Sequence, residues 1–327
     1  MKILVIQSKM GIGDTIIYLP YIEAISKNYN SKVTLLVKKN SKFSEISESC
    51  NYVEDVIYLE RDSKEKNLRH NGFLGSINLI KDLKQHKFDC VFIFNSSIRY
   101  KIISKFSGIK RIFQYPLFKK RNQNIIDAAQ NLIFKTIKKK IKSDPVLNID
   151  KEKKEMAKKN YNIKSSILNI LIGAGGSGVN KIISSKIYIN FMLKCINKYD
   201  CRFFIAIGNS EEENKVLKEI ANYKDKFNLT KLNDLRIKET LPIIKNCSVA
   251  ICNDTSFSHI SAALGLETIV LIADTSILYG SYSPRMHPIM SEKINSNQLA
   301  REAIDPNKIF SKFEEIITKL GFSKLRP

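Results

Sequence analysis

The 327-residue sequence predicts an α/β protein made of two consecutive Rossmann-like domains, each with its own parallel sheet. Apolar, strand-like runs alternate with segments of helical periodicity. The alternation stops at a lysine-rich polar stretch near the middle of the chain and then starts again. The chain is long enough to bury a core in each of two domains. Right-handed crossovers would bring the carboxyl ends of the strands to one edge of each sheet, where ligands bind.

The first domain is predicted to span residues 1–155. Short apolar runs alternate there with segments whose apolar residues recur three and four positions apart, as on one face of a helix. Strands are predicted at residues 2–8, 33–37, 56–59 and 90–94, and helices at residues 15–29, 41–49, 73–86 and 99–106.

The domain boundary is predicted within residues 135–162, a polar, lysine-rich stretch with Pro145 near its centre. The second domain is predicted to span residues 156–327, with its last helix as a candidate to pack back on the first domain. Strands are predicted at residues 167–173, 203–208, 248–252 and 268–272, and helices at residues 186–199, 211–223, 235–245, 255–264 and 306–320.

The composition narrows the possible function classes. No apolar run approaches the roughly 18 residues that a membrane span needs, so the protein is predicted to be cytoplasmic. Its six cysteines form no CxxC pair and its four histidines have no metal-site spacing, so neither a metal nor a cofactor is predicted. The net charge of +22 either reflects lysines spread over the whole chain or fits an anionic partner, such as a membrane surface, a phosphorylated glycolipid or nucleic acid. Without tryptophan or a recognised motif, nucleic acid is not predicted.

The first loop of interest, Gly11-Ile12-Gly13-Asp14, joins the first strand to the first helix. Its glycines permit a sharp turn, and Asp14 is either the N-cap of the helix or a general base facing a ligand. The third glycine of a dinucleotide-binding GxGxxG motif is missing, so a fold of that type is not predicted.

The second loop, residues 173–178, consists of small residues that include Gly175 and Ser177, and Lys181 follows it. Such a loop exposes backbone N–H groups and lets a phosphate approach closely, and the lysine would add a positive charge. The alternative interpretation is a flexible loop followed by a solvated lysine.

The third loop follows the strand at residues 248–252 and contains Asp254, Thr255 and Ser256 at a helix start. The helix dipole favours an anion there by about 0.3–1 kcal/mol, although Asp254 or Thr255 could equally be a simple N-cap. His259, one turn into the helix, is either part of this site or a packed, hydrogen-bonded residue. The segment Asp274-Thr275-Ser276 after the next strand has a similar pattern and either lines the same cleft or forms a turn.

In this order, the loops resemble glycosyltransferase family 9, the heptosyltransferases that extend the lipopolysaccharide inner core. The N-terminal features that match are the strand KILVIQ, the pair Gly13-Asp14, and Pro20 inside the first helix. The most specific match is the block from Asp254 to Gly265, which fits Asp-Thr-Gly-x-x-His-x-x-Ala-Ala-x-Gly except that Ser256 replaces the first glycine.

Other family segments match less completely. Lys181 and Tyr188 fit a Lys-x-Trp-Pro-x-x-x-aromatic segment in which Ile183 and Ser184 replace Trp and Pro. Residues 206–213 look like the family's Gly…Glu turn. Residues 228–231 resemble its Asn-Leu-Thr-Gly element, with lysine in place of glycine.

The resemblance implies a GT-B fold, with two Rossmann-like domains facing a central cleft. It also implies inverting, metal-independent transfer from a nucleotide-diphospho-sugar, which is ADP-heptose in the best-known members. The acceptor would be a lipopolysaccharide core or another anionic glycolipid, reached at the cytoplasmic face of the inner membrane with possible peripheral contact.

The resemblance also assigns roles to residues. Asp14 would be the catalytic base, and the loop at Gly13 would face the acceptor. Asp254 would contact the sugar, and His259 would support the loop. Lys181 and the backbone at Thr255–Ser256 would hold the diphosphate and stabilise the departing nucleotide, and Gly175 and Ser177 are further donor-binding candidates.

Two other functions stay open. The chain could be a divergent, non-catalytic member that binds a nucleotide or a glycan, because Ser256 adds a side chain where a phosphate would approach closely. It could also be a nucleotide-sugar epimerase built on the same fold, which would turn over without an acceptor.

Overall fold

The computed structural model describes residues 1–9, 11–62, 67–116, 124–176, 178–292 and 299–323. The chain divides into two compact units, Met1–Pro145 and Val146–Pro327. This division lies earlier than the predicted boundary at residues 155/156, because the linking segment already packs on the second unit. The backbone N–H of Leu147 donates to the carbonyl oxygen of Ala263 at 2.8 Å. Helix Lys151–Asn160 then packs against helix Ile237–Ile244.

The first unit contains a five-stranded parallel sheet in the order β3-β2-β1-β4-β5. Its central strands are buried along their whole length, as expected for a sheet covered on both faces. The strands are β1 (Ile3–Gln7), β2 (Val33–Lys38), β3 (Val53–Leu59), β4 (Cys90–Ile93) and β5 (Arg111–Gln114), and the helices are α1 (Ile12–Tyr29), α2 (Gly72–His86), α3 (Ile98–Phe106) and α4 (Ile125–Ile137).

Two parts of the first unit differ from the sequence-based prediction. The helix predicted over residues 41–49 is a series of short 3₁₀ turns, because Lys42 adopts a left-handed backbone conformation (φ 48°) that interrupts a continuous helix. Strand β5 and helix α4 were not predicted. Asn124 caps α4 by accepting hydrogen bonds from the N–H groups of Ile126 and Asp127, both at 2.9 Å.

The second unit contains a six-stranded parallel sheet in the order β11-β10-β9-β6-β7-β8. Strands β8 and β11, which were not predicted, lie at its two edges. The strands are β6 (Leu168–Gly173), β7 (Cys201–Ala206), β8 (Leu229–Lys231), β9 (Val249–Asn253), β10 (Glu267–Ile272) and β11 (Met286–Met290), and the helices are α5 (Lys151–Asn160), α6 (Ser185–Ile196), α7 (Glu211–Ala221), α8 (Ile237–Ile244), α9 (Ser256–Ala263) and α10 (Pro306–Lys319).

The last helix, α10, packs within the second unit, and the expectation that it also packs back on the first domain stays a prediction. It lies against α6, where the ring of Phe313 meets that of Phe191 edge-on with centroids 5.2 Å apart. Phe313 and Ile317 are fully buried in the core of this unit, so burial of its apolar face holds α10 there.

Each sheet has one point at which the strand order reverses. In the first sheet this switch point lies between β1 and β4, and in the second between β6 and β9. Loops that leave the carboxyl ends of such neighbouring strands diverge and leave a crevice in which ligands bind. Across the described residues, no helix has the length and apolar character to cross a membrane.

Candidate active site

Asn253, the last residue of β9, joins the two loops at the switch point of the second sheet. Its Nδ2 donates to the carbonyl oxygens of Ala174 at 2.9 Å and Gly175 at 3.0 Å, and its Oδ1 accepts a hydrogen bond from the hydroxyl of Tyr188. Asn253 and Tyr188 are both fully buried. The loop after β6 is therefore fixed to the end of β9 by a side chain that the sequence-based site prediction did not include.

Glu213 fixes the same loop from the other side. Its Oε1 accepts hydrogen bonds from the backbone N–H groups of Gly176 at 3.0 Å and Gly208 at 3.1 Å, and its Oε2 accepts one from Ser210 at 3.0 Å. Burial disfavours the charged carboxylate, but these N–H groups outweigh burial and hold the pKa of Glu213 below its ordinary value. A Cβ atom at Gly175 would lie 2.6 Å from Oε1, so close approach of the carboxylate explains why residue 175 is glycine.

Lys181 and Asp254 form the charged centre of the site, and His259 lies beside them. The Nζ of Lys181 lies 3.4 Å from Oδ2 of Asp254, and Nε2 of His259 lies 3.7 Å from Oδ1 of the same carboxylate. The Lys181 side chain is 36% exposed, whereas that of Asp254 is 6% exposed. The ammonium group can therefore reach a ligand while it neutralises a nearly buried carboxylate.

His259 is held neutral. Its burial lowers its pKa to about 4; the Asp254 carboxylate opposes this shift, and the Lys181 charge adds to it. Nδ1 lies 2.9 Å from the hydroxyl of Tyr282, and the two rings stack with centroids 5.5 Å apart. His259 is therefore packed and hydrogen-bonded, with its Nε2 3.7 Å from the Asp254 carboxylate.

The start of α9 presents unused hydrogen-bonding groups. Thr255 is the N-cap residue, yet its Oγ1 is buried and makes no hydrogen bond within the described part of the chain. The first backbone N–H groups of a helix have no intrahelical acceptor, and the helix dipole makes this end positive. Ser256, the first helical residue, is half-buried beside them.

The remaining predicted site residues have separate positions. Gly13 and Asp14 belong to the first unit and lie half-buried in the first turn of α1. The N-cap there is Gly11, with φ 96°, so the N-cap interpretation of Asp14 was wrong. Ser177 lies outside the described residues. Asp274 is exposed after β10, beside Thr275, whose Oγ1 is buried with no partner among the residues described.

The switch point of the first sheet carries a cavity of about 340 Å³. Asn95, after β4, donates from Nδ2 to the hydroxyl oxygen of Ser8, after β1, at 2.7 Å, which holds the two loops together at its mouth. Among the described residues, its lining includes three aromatic rings, two amide groups and one lysine, contributed by Tyr18, Phe94, Tyr115, Asn95, Asn124 and Lys9.

Chemically, the switch point of the second sheet brings together the partly exposed Lys181 ammonium, the first N–H groups of α9 and the buried Thr255 hydroxyl, which together favour a phosphate group. In the described ranges, no group of three or more His, Cys, Asp or Glu side chains is arranged to hold a metal ion.

Comparison with known families identifies the chain. The model of glycosyltransferase family 9 (heptosyltransferase) matches residues 77–309, which is more than half of the sequence. The chain belongs to glycosyltransferase family 9. No curated protein matches the sequence of this glycosyltransferase.

Solved structures agree with this assignment in fold. ADP-heptose lps heptosyltransferase II from E. coli is 15% identical with a TM-score of 0.72, and the match covers 98% of this chain and 100% of that one. A family 9 glycosyl transferase from Veillonella parvula is 14% identical with a TM-score of 0.74, covering 97% of both chains. E. coli heptosyltransferase WaaC with ADP is 15% identical with a TM-score of 0.69, covering 96% of this chain and 99% of that one. The predicted family and GT-B-type fold are therefore confirmed.

Proposed function

We propose that this glycosyltransferase transfers a heptose-type sugar from ADP-heptose to a hydroxyl of a lipopolysaccharide core or similar anionic glycolipid, with inversion and without a metal. The observation that carries this proposal is the arrangement of Lys181, Asp254 and the start of α9 at one switch point. This arrangement supplies positive charge and N–H donors where the diphosphate of a nucleotide-sugar would bind.

The diphosphate would bind to Lys181 beside its ion pair with Asp254. Its Nζ lies 3.4 Å from Asp254, at the long end of an ion pair, and part of the side chain is open to solvent. A phosphate oxygen could bond to Nζ, to the first N–H groups of α9 and to Oγ1 of Thr255, the buried hydroxyl that has no partner among the described residues. These donors would stabilise the charge that grows on the leaving diphosphate during transfer.

Asp14 would act as the general base. The acceptor oxygen attacks the anomeric carbon and forms the new glycosidic bond, while the bond from that carbon to the diphosphate oxygen breaks. The acceptor proton passes to the carboxylate of Asp14. A single displacement inverts the anomeric centre and needs no second carboxylate as nucleophile.

The cavity in the first unit suits the acceptor. Sugar rings pack their C–H faces on aromatic rings and bond to amide groups. The cavity offers Tyr18, Phe94 and Tyr115 together with the amides of Asn95 and Asn124. Lys9 would supply one positive charge for an acidic group on the acceptor.

Ligand-dependent thermal stability tests the donor. The purified enzyme would be melted with ADP, UDP, GDP, CMP, NAD and ADP-heptose, since a ligand at about 100 times its Kd stabilises by about 2.7 kcal/mol. The expected result is selective protection by ADP and greater protection by ADP-heptose. Protection by another nucleotide would assign a different nucleotide-sugar as the donor. If none of these ligands protected the protein, a non-catalytic member of the family would be favoured.

Product analysis tests the reaction. Incubation with the donor and a glycolipid extract should consume donor only when the extract is present. Conversion of the nucleotide-sugar without any acceptor would instead favour an epimerase.

A further inference from the structure

The solvent face of α3 carries a row of large apolar side chains. Ile98, Ile102 and Phe106 are 57%, 45% and 68% exposed, and they follow one another at four-residue spacing along one side of the helix. Single exposed apolar residues are common, but a continuous row on a solvent face indicates a surface that another apolar phase covers.

The orientation of α3 is fixed, so the row cannot turn into the core. Tyr100 and Ile103 point the other way and are buried in the core of the first unit.

The row has a basic border. Lys101 and Lys105 are exposed on α3 and flank the apolar side chains, and the segment from Ile98 to Arg111 contains five Lys or Arg residues and no Asp or Glu. An apolar stripe beside lysines is the composition of helices that lie in the interface of an anionic bilayer.

The first turn of α2 extends this surface. Phe73 and Leu74 are 80% and 74% exposed. The guanidinium of Arg99, in the first turn of α3, donates to the carbonyl oxygen of His70 at 2.6 Å, just before α2 begins, and the two helices pack against each other.

We propose that this surface, formed by Phe73, Leu74, Ile98, Ile102 and Phe106 with Lys101 and Lys105, docks on an anionic lipid bilayer. The rings would enter the headgroup region, and the ammonium groups would pair with lipid phosphates. A second copy of this chain is the less suitable occupant, because it would bring the same lysines of a protein with net charge +22 together. The docking surface goes beyond the proposed reaction and does not depend on the identity of the donor.

The absence of tryptophan from the sequence provides a direct test. Phe106→Trp places a single tryptophan in the surface, and Phe134→Trp places one at an exposed position of α4 as a control. With vesicles of phosphatidylcholine containing roughly one quarter phosphatidylglycerol, the Phe106→Trp emission should shift to the blue and be quenched by brominated lipid. The Phe134→Trp emission should not change.

Vesicle flotation measures how much the apolar side chains and the lysines of this surface each contribute to lipid binding. Phe106→Ser should weaken binding roughly ten-fold or more, and Lys101→Gln with Lys105→Gln should weaken it about five-fold for each lysine. Lys151→Gln with Lys159→Gln removes the same charge from the exposed face of α5 and should have a smaller effect. All variants change exposed residues, and melting curves would verify that they fold.

Three results would overturn the proposal. The first is that the parent chain does not bind these vesicles. The second is that the α3 and α5 lysine variants lose the same amount of vesicle binding. The third is that the Phe106→Trp emission shifts to the blue as the protein concentration rises in the absence of lipid. The last result would assign the surface to a second copy.

Discussion

The Lys181 ammonium lies 3.4 Å from the Asp254 carboxylate although the two residues are 73 positions apart in the chain. Lys181 follows the loop after β6, and Asp254 follows β9, so the pair forms only because these strands are neighbours at the switch point of the sheet. Asp254 is buried and needs the nearby cation, whereas Lys181 keeps part of its side chain in solvent. A ligand phosphate would bind to a lysine that is already positioned.

Lys181→Gln should weaken ADP binding roughly 10- to 100-fold, which is the cost of losing a hydrogen bond to a charged group. Isothermal titration of ADP would measure the change. Lys186→Gln, which removes an exposed lysine from the first turn of α6, is the matched control and should leave the affinity unaltered. If the two variants bound ADP with equal affinity, Lys181 would not be part of the donor site.

Gly175→Ala should destabilise the enzyme by about 1–3 kcal/mol and weaken donor binding, because the new methyl group would lie 2.6 Å from Oε1 of Glu213. That carboxylate accepts hydrogen bonds from Gly176, Gly208 and Ser210, so it cannot move aside without breaking them.

Urea denaturation and ADP titration would measure both effects of Gly175→Ala. Gly178→Ala is the control in the same loop, because its Cβ would meet no atom within 4 Å. If the two alanine variants behaved alike, flexibility of the loop rather than the Glu213 contact would explain the glycines.

Acid should weaken the fold through His259. Its folded-state pKa is about 4, below the ordinary value of 6.5, because burial disfavours its charged form. Between these two values the unfolded chain binds a proton that the folded chain does not. The contribution of His259 to stability is therefore fully present above pH 6.5 and falls as the pH drops towards 4, by on the order of 3 kcal/mol.

Denaturation of the parent chain and of His259→Gln between pH 4 and pH 7 would isolate this contribution. The stability difference between the two proteins should shift in favour of the variant as the pH falls. A difference that stays constant over this range would show that His259 does not titrate as its burial requires.

The fold could be predicted from sequence because apolar runs and helical periodicity are local patterns. The elements that were missed have weak local signals. Strand β8 has only three residues, and β5 contains Arg111 and Gln114 at its ends. The helix predicted over residues 41–49 failed because Lys42 adopts a left-handed conformation, which no residue preference indicates for lysine.

The candidate site could be matched to a pattern most directly where its residues are close in sequence. The block around Asp254, Thr255 and His259 is continuous, so its pattern could be matched directly. Asn253 bonds to Ala174 across 79 positions, and Glu213 bonds to Gly176 across 37. Such contacts are set by which strands lie next to each other, and a single sequence carries no pattern for them.

Asp14→Asn gives the test of the proposed base. The amide keeps the shape of the carboxylate but cannot accept the acceptor proton, so kcat should fall about 10²- to 10⁴-fold while ADP affinity stays within a factor of about two. Glu23→Gln is the control on the same helix, because Glu23 pairs with Lys27 on an exposed face of α1. Product formation with a glycolipid extract and ADP titration would be measured for both variants. Equal loss of binding and turnover in Asp14→Asn would mean that Asp14 holds the structure of the loop, whereas a loss of turnover alone would fit a group that acts on the acceptor hydroxyl.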